Sequence, residues 1–206
     1  LINSMKVVGK DLKDCKIVLV GAGAAGVAIA KLLYKYAKPT IVAVDSKGII
    51  EPTRNDLNDE KRMLLKFSDQ IQPGILENAV IDADIFIGVS KPGLLKPAMV
   101  GSMSDDPIVF ALSNPVPEIY PDEALKAGAK IVATGRSDFP NQVNNALAFP
   151  GIFRGALDNG VQQITDKHKI AAAETIASFI KKPSPDEIIP SLFAEDLAQQ
   201  IASVIK

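Results

Sequence analysis

Five short apolar runs alternate with longer stretches in which apolar residues recur at a helical period. The runs cover residues 16–20, 40–45, 84–88, 108–112 and 130–133. They are nearly continuous rather than alternating, which is typical of strands covered on both faces. Amphipathic stretches at 23–38, 59–67, 121–127, 165–180 and 193–205 predict helices. The alternation predicts an α/β fold with a doubly wound, mostly parallel sheet, helices on both faces and extra C-terminal helices.

Composition narrows the class of protein. The chain has 206 residues, of which 47% are hydrophobic and 23% charged, as expected for one globular domain spanning residues 1–206. A formal net charge of -1 gives no electrostatic reason to expect nucleic acid or an anionic membrane as a partner. No apolar run approaches the roughly 18 residues of a membrane span. Because Cys15 is the single cysteine, no intrachain disulfide can form, and we expect a reducing compartment, the cytoplasm.

A glycine loop follows the first predicted strand and opens the first predicted helix. In "VGAGAAG", Gly21 permits a tight turn, Gly23 lets backbone amides approach a pyrophosphate, and Gly26 allows close packing of helix on strand. The helix N-terminus adds partial positive charge. These features predict a Rossmann-type dinucleotide site. Its expected cofactor-binding residues here are Gly21, Ala22, Gly23, Ala24, Ala25 and Gly26.

An acidic residue ends the second predicted strand. A carboxylate at Asp45 accepts hydrogen bonds from the adenosine ribose and repels a 2′-phosphate, which favours NAD. Ser46 and Lys47 follow directly, and we include both with the cofactor-binding residues. Together with Lys61 and Arg62 they could bind a 2′-phosphate if Asp45 turned away, so NADP remains the alternative.

Three further loops follow the remaining strands. They read "GVSKPG" (88–93), "LSNPVPE" (112–118) and "GRSDFPNQVNNALAFPGIFRGALD" (135–158). Because ligands of open α/β sheets bind beyond the carboxyl ends of the strands, we expect these loops to line one cleft. In the third loop we interpret Asn141 and Gln142 as ordinary loop or cap residues. The phenylalanines Phe139, Phe149 and Phe153 are expected to be core and wall residues.

Several of these motifs occur together in a known family. "GAGAAG", "VDSKGII" with Arg54 after it, "ALSNP", the long asparagine-containing stretch and "ITDKHKIAAAETIA" cover essentially the whole chain. On these motifs the sequence resembles the NAD-binding domain of malic enzymes, especially the short bacterial and archaeal kind. The resemblance implies oxidative decarboxylation of (S)-malate to pyruvate and CO2, with reduction of NAD or NADP.

The resemblance also implies roles for three asparagines. Asn114, in "SNP", resembles an asparagine that contacts both the nicotinamide side and the substrate. Asn144 and Asn145 resemble the paired asparagines that bind the carboxylate and hydroxyl of malate. An amide suits this task because it offers donors and acceptors without repelling a dianion. Ser90, after the third predicted strand, is grouped with the cofactor-binding residues.

The acid–base and metal chemistry has no match in the sequence. The reaction needs a base, an acid and an electrophile, usually a divalent metal. His168 is the only histidine and is expected on the surface, and Tyr34, Tyr36 and Tyr120 match no catalytic motif. In malic enzymes the catalytic tyrosine and lysine, and the acids that bind Mg or Mn, lie upstream of the part matched here. We therefore assign no catalytic residue and no metal ligand to this chain.

The resemblance has two further consequences. Because the chain opens with Leu1 in a helical pattern, we expect it to be a fragment of a longer enzyme and inactive alone. The family tends to dimerise, so we expect the full-length enzyme to be a homodimer.

Two other functions remain open. Another Rossmann dehydrogenase, of the amino-acid or methylene-tetrahydrofolate type, would not be expected to place "NQVNN" and "FPGIFRGALD" together after its last strand. A stand-alone NAD-binding sensor or module is compatible with the glycine loop alone. The asparagine-lined substrate side argues against it.

Overall fold

A single six-stranded sheet forms the centre of the computed structural model, which describes residues 1–68 and 72–206. The strands are β1 (Lys16–Val20), β2 (Thr40–Asp45), β3 (Gly48–Ile49), β4 (Ile85–Gly88), β5 (Ile108–Ala111) and β6 (Ile131–Thr134). Their order is β3-β2-β1-β4-β5-β6. All neighbours pair in parallel except β2 and β3, which form an antiparallel hairpin. The direction of chain progression reverses between β1 and β4, where ligands of such sheets bind.

Helices lie between the strands and follow the last of them. Among the described residues they are α1 (Ile2–Val8), α2 (Ala24–Ala37), α3 (Asp59–Leu64), α4 (Leu76–Val80), α5 (Pro97–Val100), α6 (Pro121–Lys126), α7 (Phe149–Asp158), α8 (Asp166–Ser178) and α9 (Leu197–Val204). None of the helices in the described ranges is long and apolar enough to cross a membrane.

Each of the five parallel strands contributes to two cores because successive side chains point to opposite faces of the sheet. In β1, Ile17 and Leu19 join a core that also contains Met5 of α1 and Ala30 of α2. Val18 and Val20 join the other core, which contains residues of α4, α5 and α6. A third, smaller core joins α7, α8 and α9. The predicted doubly wound, mostly parallel fold with additional C-terminal helices is confirmed.

The predicted element boundaries are right for the buried strands and less accurate elsewhere. β1 and β2 have the predicted limits, and β4, β5 and β6 differ from prediction by one residue at one or both ends. α9 begins at Leu197 rather than at 193, because Asp196 adopts a left-handed conformation with φ 61°. The short elements β3, α4 and α5 were not predicted. α7 was not predicted either, although it follows directly after the asparagine loop.

Two predictions about individual side chains are wrong. Phe149 and Phe153 of α7 are not core residues: they are 48% and 57% exposed, with ring centroids 5.7 Å apart. The opposite face of α7 is the one that packs on α9. His168 is not a surface residue, because it is only 9% exposed. Its Nδ1 accepts the N–H of Thr165, and its Nε2 lies 2.8 Å from the carbonyl oxygen of Lys206.

Candidate cofactor and substrate site

The loops that follow β1, β4 and β5 begin side by side at the carboxyl edge of the sheet. The N–H of Gly21 donates to Val44 O at 3.0 Å, and the N–H of Val89 donates to Val20 O at 2.9 Å. Leu112 continues the pattern by donating to the carbonyl oxygen of Gly88 at 2.9 Å. The parallel ladder thus extends one residue beyond each strand. The predicted loops share one edge, as the topology requires.

The three glycines of the glycine loop have different surroundings. Gly21 has a φ of +121°, and a Cβ there would lie 2.7 Å from Val89 O. A Cβ on Gly26 would lie 1.8 Å from Gly21 O, so this glycine lets α2 approach β1. A Cβ on Gly23 would meet no atom within 4 Å, and its φ of -88° suits any residue. The fold therefore requires Gly21 and Gly26, whereas Gly23 leaves open space.

That open space lies at the N-terminus of a long helix. Gly23 is the N-cap of α2, and no side chain caps the helix there. Ala24 and Ala25 are exposed in its first turn, while Ala22 is half-buried against the sheet. Backbone N–H groups at such a helix end bind phosphate groups well. The arrangement fits a dinucleotide pyrophosphate at Gly23.

The Asp45 carboxylate lies in a charged cluster formed with Arg54, Lys61, Lys47 and Asp56. Arg54 donates to Asp45 with both terminal nitrogens at 2.9 Å, and Lys61 Nζ lies 2.6 Å from Oδ2. The backbone N–H of Lys47 donates to Oδ1 at 2.8 Å. Arg54 also pairs with Asp56, which in turn pairs with the Lys47 ammonium. Four donors therefore occupy the roughly four lone-pair positions of a carboxylate.

This cluster sets the ionisation of its members. Burial raises the pKa of Asp45, but the hydrogen bonds from Arg54 and Lys61 outweigh it and the pKa falls to about 2. The pKa of Arg54 is raised by its hydrogen bonds to Asp56 and Asp45. Asp45 is consequently an anion over the physiological range, with most of its charge already compensated. Ser46, next to it, is exposed at the end of β2.

The loops after β4 and β5 are joined by a buried carboxylate. Glu118 is 0% exposed; its Oε1 accepts the N–H of Ser90 at 3.0 Å and its Oε2 that of Ser113 at 3.1 Å. The next residue, Asn114, is exposed, and its side chain makes no hydrogen bond to the described residues. A Cβ on Gly135 would lie 3.0 Å from Asn114 Nδ2, so this amide lies against the start of the loop after β6.

The asparagine loop is attached to the same sheet edge. A parallel bridge pairs Thr134 with Gln142, and the N–H of Val143 donates to Thr134 O at 2.8 Å. Asn144 follows and caps a short 3-10 helix with its Oδ1, which accepts the N–H of Ala146 at 2.9 Å. Asn145 is exposed, and within the described residues its amide has no hydrogen-bond partner.

Asn141 is a loop residue, as predicted, with a structural task. Its Nδ2 donates to Val132 O at 3.0 Å and to Pro185 O at 2.8 Å. Its Oδ1 accepts the N–H of Ile188 at 2.9 Å. These bonds connect the asparagine loop to the segment between α8 and α9, so the amide of Asn141 is fully used by the fold.

No metal-binding group is evident in residues 1–68 and 72–206. These residues contain no group of three or more His, Cys, Asp or Glu side chains placed to coordinate one ion.

The matches to known proteins agree with the geometry. The family model "Malic enzyme, NAD binding domain" matches residues 1–206. The chain belongs to the malic enzyme NAD-binding domain family.

Malic enzymes from several organisms are similar over all or nearly all of the chain. The bifunctional malic/malolactic enzyme of Bacillus subtilis is 51% identical over 209 residues, covering 100% of this chain and 51% of that protein. An NADP-dependent malic enzyme of Halomonas elongata is 41% identical over 192 residues, covering 92% of this chain and 45% of that protein. The crystal structure of an NAD-dependent malic enzyme from Thermotoga maritima superposes with a TM-score of 0.93 at 43% identity, covering 100% of this chain and 55% of that one. This malic enzyme domain thus spans about half the length of its relatives.

Two site residues were missed by the sequence reasoning. The sequence indicates Arg54 only as part of the family motif. In the structure it binds Asp45 with two hydrogen bonds. Its position depends on the β2–β3 hairpin, whose second strand has only two residues. Glu118 looks like an ordinary loop acid in "PVPEIY". Gly88 is the sequence signal that could have indicated a buried Glu118, because a glycine at the end of a buried strand leaves space for another side chain.

Proposed function

We propose that this malic enzyme domain binds NAD or NADP and forms the cofactor half of an enzyme that converts (S)-malate to pyruvate and CO2. One observation supports the proposed binding of malate. Asn114 and Asn145 are exposed amides without side-chain partners among the described residues, at the same sheet edge as the open Gly23. A site lined by unpaired amides favours a small polar ligand, because such a ligand satisfies donors and acceptors together.

The residues of the chain have binding and orienting tasks in this proposal. Backbone N–H groups at Gly23 bind the pyrophosphate, and Ser90 and Asn114 lie at the nicotinamide side. The free Nδ2 of Asn144 and the amide of Asn145 bind the carboxylate and hydroxyl of malate. The cofactor supplies the hydride acceptor. Such fixed geometry contributes to rate by orienting the reacting groups.

The Asp45 cluster favours NAD and explains how NADP could compete. Because four donors already surround the carboxylate, a ribose hydroxyl must replace one of them. Lys61 is the simplest to displace, since it makes one contact through a flexible side chain, whereas Arg54 makes two. A 2′-phosphate would instead recruit Lys61 and Arg54. We propose NAD as the preferred cofactor and NADP as the alternative.

The remaining parts of the activity are assigned to the longer protein. We propose that the base, the acid and the ligands of Mg or Mn come from outside the matched domain, and that the full-length enzyme is a cytoplasmic homodimer. The family resemblance supports these assignments. The presence of a single cysteine supports a reducing compartment.

A kinetic experiment on the full-length enzyme tests this function. Asn145→Ala should raise the malate KM and lower kcat/KM, with NAD affinity nearly unchanged, because the amide contacts substrate in ground and transition states alike. Asn114→Ala should disturb both ligands, since it lies between them. Gln199→Ala, which removes an exposed amide from α9, is the matched control and should change neither.

Two outcomes would contradict the proposal. Unaltered malate kinetics in Asn145→Ala would remove the substrate assignment of this loop. A full-length protein that is stabilised by NAD and indifferent to malate analogues would support a dinucleotide sensor instead.

A further inference from the structure

Glu118 is a buried carboxylate whose hydrogen bonds go to two site loops. Among the described residues, no lysine, arginine or histidine nitrogen lies within 4 Å of its oxygens, although its side chain is completely buried. Its partners are the backbone N–H groups of Ser90 and Ser113, at 3.0 and 3.1 Å. Burying a carboxylate without a cation costs stability, so apolar burial does not account for Glu118. What the carboxylate supplies is an acceptor oxygen for each of these two N–H groups.

Gly88, at the end of β4, provides the space for this carboxylate. A Cβ on Gly88 would lie 2.4 Å from Glu118 Cδ and 2.6 Å from Oε1. The φ of Gly88 is outside the left-handed region, so its backbone conformation does not require glycine. The three atoms nearest to such a Cβ all belong to Glu118, so the missing side chain makes room for this carboxylate.

Backbone hydrogen bonds also join the two loops, but at other residues. At the ends of β4 and β5, Leu112 N–H donates to Gly88 O at 2.9 Å. Farther from the sheet edge, Gly93 N–H donates to Pro117 O and Leu95 N–H donates to Glu118 O, both at 3.1 Å. The Glu118 side chain adds one bond to the other loop, from Ser90 N–H to Oε1, and one bond within its own loop, from Ser113 N–H to Oε2. Ser113 precedes Asn114, so each carboxylate oxygen is needed for one of the two loops.

The position of Asn114 in turn affects the third loop. Arg136 donates from a terminal nitrogen to Pro115 O at 3.1 Å, and Gly135 lies against the Asn114 amide. A shift of the "SNP" segment therefore moves the start of the asparagine loop as well.

We propose that Glu118 is a positioning residue, which fixes Ser90 and Asn114 relative to each other at the nicotinamide side of the cleft. The expected effect on nicotinamide binding rests on the proposed function. The coupling of the two loops does not depend on that function.

The test is Glu118→Gln in the 206-residue chain. Glutamine has the same shape but only one acceptor oxygen, so one of the two backbone N–H groups faces a second donor. Calorimetry should show NAD affinity falling about tenfold, the size expected for one unsatisfied buried hydrogen bond. The affinity for ADP should change less than about twofold, because ADP reaches only the glycine loop and the Asp45 cluster.

A control and a ligand-free measurement separate positioning from stability. Asp84→Asn alters a partly buried acid at the opposite sheet edge, which accepts from Lys16 N–H, Lys10 and Ser104. It should lower the melting temperature and leave both affinities unchanged. Without ligand, Glu118→Gln should accelerate amide hydrogen exchange in residues 89–94 and 112–116 together.

The outcomes are distinct. Equal losses of NAD and ADP affinity, or unchanged exchange in the two loops, would overturn the inference. If the wild-type chain binds neither ligand but the exchange prediction is met, the cofactor proposal fails and the positioning of the loops is supported. If Glu118→Gln does not fold, Gly88→Ala, which displaces the carboxylate, should produce the same pattern; failure of both variants to fold would assign Glu118 to stability alone.

Discussion

Gly23 differs from the other two glycines of its loop because its missing side chain faces open space. Gly23→Val should therefore abolish dinucleotide binding and leave the fold intact, since the new side chain occupies the place of the pyrophosphate. Calorimetry with NAD and a thermal unfolding curve measure the two effects. Gly26→Val is the matched control: its Cβ would clash with Gly21 O, so it should lose stability as well as binding. Unchanged NAD affinity in Gly23→Val would remove the phosphate assignment.

We expect Asp45 to decide between two cofactors that differ by one phosphate. Asp45→Ala should weaken NAD binding by roughly 1–3 kcal/mol, the range for losing a charged hydrogen-bond partner. NADP should weaken less or bind better, because the change frees Arg54 and Lys61 for the 2′-phosphate. Asp56→Ala is a suitable control, since Asp56 pairs with Arg54 from the exposed side. If NAD and NADP lose equally, Ser46, Lys47 or Lys61 sets the preference.

Helix α7 shows why glycines can hide a helix from a prediction based on sequence. A Cβ on Gly151 would lie 2.5 Å from Ile201 Cβ, and one on Gly155 would lie 2.5 Å from Ala202 O. Both glycines lie in the face that packs on α9. The sequence "FPGIFRGALD" resembles a loop because glycine has a low helix propensity. These glycines are required by the contact with α9, a helix some fifty residues later, which local propensity does not reveal.

The close packing of α7 on α9 gives a stability prediction. Gly155→Ala should destabilise the chain by about 1–3 kcal/mol, because overpacking exceeds the gain in helix propensity of about 1 kcal/mol. Arg154→Ala, on the exposed side of the same helix, should stay within about 0.5 kcal/mol of wild type. Urea unfolding of both variants provides the measurement. A Gly155→Ala chain as stable as wild type would show that α9 moves aside at little cost.

For the fold as a whole, local patterns were sufficient to predict the five parallel strands and the glycine loop, but not the short strand β3. Buried parallel strands are continuous apolar runs, and the glycine loop follows a strand and precedes a helix, so both are visible within short windows. Contacts between distant segments were not predictable in this way. His168 is buried because Lys206 and the helix cap Thr165 satisfy its ring, and Glu118 is buried because Gly88 leaves space. Although Thr165 is close to His168 in sequence, Lys206 is 38 positions from it, and Gly88 is about thirty positions from Glu118.

The isolated chain separates cofactor binding from catalysis. The chain should bind NAD but not turn over malate, because its glycine loop and Asp45 cluster are complete while its malic enzyme relatives are about twice as long. Calorimetry with NAD and an assay of NADH formation with malate and manganese test both parts. The full-length enzyme, assayed in parallel, is the positive control. Steady malate-dependent NADH formation by the purified chain, with contaminating enzymes excluded, would mean that its own residues include the acid–base groups that we assign to the rest of the enzyme.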